Sequence, residues 1–314
     1  MDNKDKYEKN PIFPVVLMGA FFVLIHGLAI IVTQPFIDAG VQPAFEDIND
    51  PLNILFIVAI LLVFTLVILL IAKFWKKQAI QAIILGAIGY TAGYVFYPLF
   101  LLVSPNELIP YIPLFLSIVC AIVLIVTLYK YPEWYVIDIS GIIIGAGAIA
   151  IFGISLGILL VIVLLIILAV YDAISVYKTK HMIDLADTVM DLKLPVLLVV
   201  PKIKNYSLIK ETRKLKEQIE EGEERDAFFM GLGDIVMPGI LVAAVYNSPD
   251  ISNPLTVALS VTIGTLVGFS ILMVFVMRGK PQAGLPLPCS GAILGYIISC
   301  LIIYGELQGL VLPL

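Results

Sequence analysis

The chain alternates long apolar runs with short polar segments. The runs are Val15–Val32, Leu52–Ala72, Ala79–Val103, Tyr111–Tyr129, Val136–Phe152, Ser155–Tyr177, Ala227–Tyr246, Pro254–Met277 and Leu287–Tyr304. Each is close to the roughly 20 residues that a helix needs to cross about 30 Å of hydrocarbon. A helix bonds its own backbone groups, which a lipid environment requires. The pattern predicts an all-α, polytopic membrane protein with nine transmembrane helices. The first run is long for a signal-peptide core and no small-residue cleavage site follows it, so it is read as a span. The stretch from Tyr135 to Tyr177 contains no base. As one helix it would extend about 65 Å, far beyond what the bilayer asks. Gly153-Ile154-Ser155-Leu156-Gly157 offers a turn that divides it into two spans.

The positions of the bases fix the expected orientation. Every one of the 19 Lys and Arg residues falls in alternate inter-span segments under a nine-span count. The opposite segments carry Asp38, Glu46, Asp47, Asp50, Glu107, Asp250 and Glu306, and no base. The excess of cytoplasmic positive charge in membrane proteins then predicts a cytoplasmic N-terminus and an extracellular C-terminus. Lys73, Lys76 and Lys77 set topology and meet lipid headgroups. Trp75 and Trp134 read as interface anchors. The sequence thus divides into a six-helix part over residues 1–177, a polar cytoplasmic segment over 178–226 and a three-helix part over 227–314. The polar segment mixes bases and acids. Within it, Ile209 to Glu224 is expected to be a solvated helix or a tether. The apolar stretch Leu194–Pro201 is too short to span, and lies at the interface or forms a short strand.

Composition agrees with this reading. Of 314 residues, 61% are hydrophobic and 14% charged, with a mean hydropathy of +1.05. An ordinary soluble domain is nearer half apolar and a quarter charged. A secreted disulfide scaffold, a disordered chain and a typical cytosolic enzyme are excluded. Cys120, Cys289 and Cys300 are too few and too scattered for disulfides or a zinc site, and pack as small hydrophobes. His26 and His181 lack companions at ligand spacing, so no metal and no cofactor is expected. Ser155, Ser175 and Ser290 lack a His or Lys partner for nucleophilic chemistry. Gly86, Gly89 and Gly93 suit helix packing rather than a phosphate cradle.

Two acids interrupt apolar helices: Asp172 in the sixth run and Asp234 in the seventh. A carboxylate at membrane depth costs about 3 kcal/mol or more. Asp138, near the start of the fifth run, is expected to reach the interface. Asp172 and Asp234 lie at similar depth on successive antiparallel helices, with no base nearby. Two such carboxyls can share one proton, which leaves one acid and one base side by side. That pair can activate water against an amide and protonate the leaving nitrogen. Gly231 and Gly233 favour close approach of a neighbouring helix. Pro238 cannot donate to the carbonyl of Asp234, so it frees an acceptor and bends the helix. Tyr171 either supports the site by stacking or hydrogen bonding, or is a packing aromatic.

Tyr171-Asp172, Gly231-Leu232-Gly233-Asp234 and the Leu285-Pro286 segment, in that order and in spans six, seven and nine, resemble the Y-D, G-x-G-D and P-A-L signatures of the presenilin and signal peptide peptidase family. The stretch from Gly231 to Gly239 looks most like the signal peptide peptidase branch. The orientation is presenilin-like, and the mixture resembles archaeal members. The P-A-L position reads Ala283-Gly284-Leu285 followed by Pro286, so only the Leu aligns directly. Pro281, Pro286 and Pro288 are expected to keep this segment non-helical.

The resemblance implies an intramembrane aspartyl endopeptidase with Asp172 and Asp234 as its catalytic pair. The implied substrates are transmembrane or signal-peptide-like segments, met in the cell membrane. Nucleic acid is not an expected partner, and a homo-oligomer is left open. A shielded substrate helix has to unwind before hydrolysis, and its freed backbone needs partners, for which strand addition is the simple remedy. Phe229 and Met230 on one side and Leu285 and Pro286 on the other are expected to frame the cleaved segment. The alternative from composition alone is a channel or proton-coupled transporter that uses the intramembrane acids.

Overall fold

The computed structural model describes residues 12–74, 77–103, 111–179, 197–203, 206–209, 227–277 and 282–311. Among them are nine apolar helices: α1 (Ile12–Asp38), α2 (Leu52–Phe74), α3 (Lys77–Val103), α4 (Ile112–Lys130), α5 (Trp134–Ser155), α6 (Ile158–Ile174), α7 (Leu232–Asn247), α8 (Pro254–Val276) and α9 (Pro286–Tyr304). Seven are long and apolar enough to cross a membrane; Leu52–Phe64 of α2 and the whole of α7 qualify as shorter apolar helices. A single π-helical turn, Ser175–Thr179, follows α6. Trp75, Ile209–Glu224 beyond its first residue, and His181 lie outside the described residues.

The expected break between the fifth and sixth runs is present. The backbone is extended at Leu156 and at Gly157, which caps α6. A side chain at Gly157 would overlap Asn49, and the Gly157 N–H donates to the carbonyl of Ile48 at 2.8 Å. Ser155 Oγ accepts from the N–H of Ala44 at 2.8 Å and donates to the carbonyl of Ile151 at 2.6 Å. The α1–α2 connection is thereby tied over this turn.

The seventh run is where the expectation fails. Its first part, Ala227–Gly231, is not helical. It is strand β2, paired antiparallel with β1 (Leu197–Pro201) in a two-stranded sheet. Short apolar runs cannot be assigned to helix or strand by periodicity, and this one runs into the helix without a polar break. The register pairs Leu197 with Gly231, Leu198 with Met230, Val199 with Phe229 and Val200 with Phe228. A second correction concerns α9. Pro286 and Pro288 are in its first turn rather than excluding it. Proline suits that position, because its missing N–H would have no intrahelical partner.

Helix α7 is the centre of the bundle and is buried from Ile235 to Val245 except at Met237. One core cluster joins it to α6, α8 and α9 through Leu164, Leu165, Val261, Ala292 and Tyr296. A second joins it to α1, α5 and the sheet through Phe22, Ile25, Ile149, Leu198 and Met230. Helices α2 and α4 turn large apolar side chains such as Phe56, Leu62, Phe115 and Val123 outward, as lipid-facing helices do.

Helices α8 and α9 meet backbone to backbone. A side chain at Gly264 would run into the carbonyl of Gly291, one at Gly268 into that of Leu287, and one at Gly295 into that of Ser260. Such small-residue seams let membrane helices approach closely. Gly291→Leu is expected to destabilise the fold by at least about 1–3 kcal/mol, as overpacking does. Gly86→Ala, whose added carbon meets nothing within 4 Å, is expected to leave stability unchanged or slightly raised. Thermal unfolding of both variants in detergent checks this.

Candidate active site

Asp172 lies near the C-terminal end of α6, just before the π turn, and is 6% exposed. Its Oδ2 accepts the N–H of Leu285 at 3.0 Å, with the N–H of Gly284 beside it. These N–H groups stand at the start of α9, where helix donors have no intrahelical partner. The carboxyl thus binds the end of a neighbouring helix over a hundred residues away in sequence.

Asp234 lies in the first turn of α7, which is capped by Gly231. It reaches back to the Gly231 N–H, the reciprocal half of a capping box. A Cβ at Gly231 would sit 3.3 Å from Asp234 Oδ2, and one at Gly284 would overlap that carboxyl outright. Gly284 and Leu285 are adjacent, so one dipeptide touches both acids: Gly284 against Asp234, and the Leu285 N–H on Asp172. The two carboxyls interact electrostatically. Asp234 is partly exposed, whereas Asp172 is buried. The buried thiol of Cys289, one turn into α9, lies near both. Tyr177 donates its hydroxyl to Gln282 Oε1 at 2.9 Å, which ties the turn after α6 to the same segment.

The other expected site residues are distributed unevenly. Pro238 is buried in α7, one turn after Asp234. Gly233 is exposed, and an added Cβ there would meet nothing within 4 Å, so it opens space beside Asp234 rather than admitting a helix. Tyr171 is 58% exposed although its neighbour is buried. Leu285 caps α9 and packs on the core, with Pro286 next to it. Met230 is buried and Phe229 half-buried, both in β2.

The orientation of β2 follows from one side-chain bond. The N–H of Val199 donates to Asp138 Oδ1 at 2.8 Å, on α5. It therefore points away from β2. In an antiparallel ladder the residues that exchange bonds alternate with those that do not. Leu198–Met230 and Val200–Phe228 carry the ladder, and Val199–Phe229 does not. The N–H and C=O of Phe229 hence point to the edge of β2 opposite β1. Among the described residues the sheet has two strands, so no described strand pairs with that edge, and it leads directly into Gly231 and Asp234.

Three features escaped the sequence reading. Asp138 is not an interfacial acid but is 3% exposed, and it holds β1. His26 is fully buried in α1 and donates from Nε2 to the carbonyl of Ile235, next to Asp234, at 3.0 Å. Gly284 stood within the P-A-L-like segment, but nothing in the sequence said that its missing Cβ is what makes room for Asp234. Among the described residues no group of three or more His, Cys, Asp or Glu is placed to hold a metal.

Two acids set among apolar helices and touching one dipeptide, beside a strand edge that no described strand pairs with, define the class of membrane-embedded aspartic hydrolases. The family described as signal-peptide peptidase, presenilin aspartyl protease matches residues 19–304. Two solved structures of a presenilin family intramembrane aspartate protease, in C222 and P2 space groups, are similar throughout. The first shares 34% sequence identity with a TM-score of 0.68, covering 92% of this chain and 99% of that one. The second shares 34% identity with a TM-score of 0.67, covering 92% and 98%. No curated protein sequence gives a significant match. The chain belongs to the signal-peptide peptidase and presenilin family and is an intramembrane aspartyl protease.

Proposed function

We propose that Asp172 and Asp234 are the catalytic pair and that they hydrolyse an extended segment of a transmembrane substrate laid along β2. The observation that carries this is the Gly284–Leu285 dipeptide, which binds one carboxyl and abuts the other. The pair shares one proton. The ionised member draws a proton from water as the water attacks the amide carbon, and the protonated member gives its proton to the nitrogen that leaves as the C–N bond breaks. The apparent pKa values belong to the pair, not to either residue. The partly exposed Asp234 and the open space at Gly233 leave room for water and for a substrate backbone.

An unwound substrate exposes N–H and C=O groups that a dry site has to satisfy. The free edge of β2 supplies both at Phe229, and strand addition there carries the next substrate residues toward Asp234. The segment headed by Leu285 and Pro286 bounds the other side. In this reading all nine helices span, with the N-terminus cytoplasmic, the C-terminus extracellular and the site near the cytoplasmic face of the cell membrane. The substrates are transmembrane or signal-peptide-like segments entering sideways from the lipid. A transport role is not favoured by the family match.

The strand-edge part has its own test. Phe229→Pro removes the outward N–H while sparing the β1–β2 ladder, because proline is tolerated on an unpaired edge. Phe229→Ala removes the ring and keeps the N–H. The proline variant is expected to cleave a defined transmembrane substrate at least about tenfold more slowly than the alanine variant, equal to about 1.4 kcal/mol. Equal kcat/KM values would mean that the edge does not seat the substrate.

A further inference from the structure

Asp138 is a carboxyl without an evident reason to be buried. It lies inside α5, beyond the N-cap Glu133. Its Oδ1 takes the Val199 N–H, while its Oδ2 is buried with no hydrogen-bond partner among the described residues. Burying a carboxyl is costly, and the one hydrogen bond that Asp138 makes among the described residues goes to the backbone of β1.

The same face of α5 is shaped for the sheet and for α7. A Cβ at Gly141, three residues on, would press on Leu198 of β1 at 2.9 Å; one at Gly145 would sit 3.2 Å from Leu232 and 3.3 Å from Val236 of α7. Glu133, at the start of α5, accepts from Ser207 Oγ at 2.6 Å and from the Leu208 N–H at 3.1 Å. One helix thus holds β1, the segment after it and the start of α7. On the outer edge of β1, Asp138 occupies the Val199 donor and Pro201 has none to offer. That edge is therefore poorer in free donors for an added strand than the edge of β2 at Phe229.

We infer that Asp138 is a positioning residue of the protease: by holding Val199 it fixes the sheet against α5 and sets the register in which the β2 edge presents substrate to Asp234. The inference rests on the reading that this edge seats the substrate. It predicts an effect on where the substrate is cut, which a residue serving stability alone would not produce.

The experiment measures kcat, KM and the cleaved bonds, by mass spectrometry, for the full-length protein in detergent with one defined transmembrane substrate. Asp138→Asn keeps the acceptor and is expected to cut the wild-type bond at a rate within about threefold of wild type. Asp138→Leu is expected to lower kcat at least tenfold and to spread cleavage over neighbouring bonds. Val199→Pro deletes the donor of the same bond from the other side, on an edge where proline is tolerated. It should reproduce the leucine phenotype, and the double variant should be no worse than either single one. Wild-type rate and a single cleaved bond in Asp138→Leu or in Val199→Pro overturn the inference. So does a loss of activity matched by lower thermal stability in both, with the cleaved bond unchanged. If Phe229→Pro and Phe229→Ala prove equal, the strand-edge reading itself has failed; if they differ and Asp138→Leu still cuts correctly, only the role of Asp138 has.

Discussion

Asp172→Asn and Asp234→Asn are each expected to reduce proteolysis by at least about 1,000-fold, toward the upper range of what a general acid–base group contributes, while the protein stays folded. The substitutions are nearly isosteric. An amide oxygen at position 172 still accepts the Leu285 N–H, and one at position 234 still accepts the Gly231 N–H, so the contacts that position the two side chains survive. What disappears is the shared proton. Neither single variant retains both an acid and a base, so the losses are not additive and the double variant is no slower than either single one. The wild-type rate is expected to follow a bell-shaped pH profile, falling at low pH where both carboxyls are protonated and at high pH where both are ionised. Thermal unfolding in detergent and peptide release from a defined transmembrane substrate check the two halves of this expectation.

Gly284→Val is expected to be nearly as damaging, by at least about 100-fold, and for a different reason. The position has no room on the side facing Asp234, where even a single added carbon would overlap the carboxyl. With Ala, a small rotation of the short aspartate side chain relieves the overlap, because its carboxyl is the free end of the residue. A branched side chain removes that escape and forces either Asp234 or the segment before α9 to move. Moving the segment withdraws the Leu285 N–H from Asp172. Either outcome separates the two acids from the dipeptide that they share. Gly284→Ala therefore retains measurable cleavage and Gly284→Val does not. Comparing kcat/KM of the two variants, with thermal unfolding as the control for folding, decides the point. Equal activities would show that the contact does not govern the pair.

The helices were legible because the membrane imposes a simple rule. Runs such as Val15–Val32 and Pro254–Met277 are as long as a helix across hydrocarbon has to be, and the backbone has no other way to satisfy itself there. Some helices extend their runs, as α1 does to Asp38, and others fall short of them, as α6 does at both ends. Asp172 and Asp234 stood out because charge is costly in such runs. What stayed hidden depends on contacts between distant segments. Ala227–Gly231 reads as the start of a helix, and it is a strand because Leu197–Pro201 is there to pair with it. Asp138 looked like an interfacial acid, since nothing in its own run indicates that Val199 comes to it. Pro286 is compatible with a non-helical segment and equally at home in a first helical turn, where it stands. Gly233 was read as a packing surface and instead faces open space. In each case local preference allowed two outcomes and a distant partner chose between them.

The most direct measurement is mass spectrometry of the products from one defined transmembrane substrate in isotopically labelled water, with wild type and the two asparagine variants in parallel. If Asp172 and Asp234 together activate water, the wild-type product carries one solvent oxygen in its new C-terminal carboxyl, and neither variant yields product above background. Product formed by either variant at the wild-type rate would remove the pair from the mechanism.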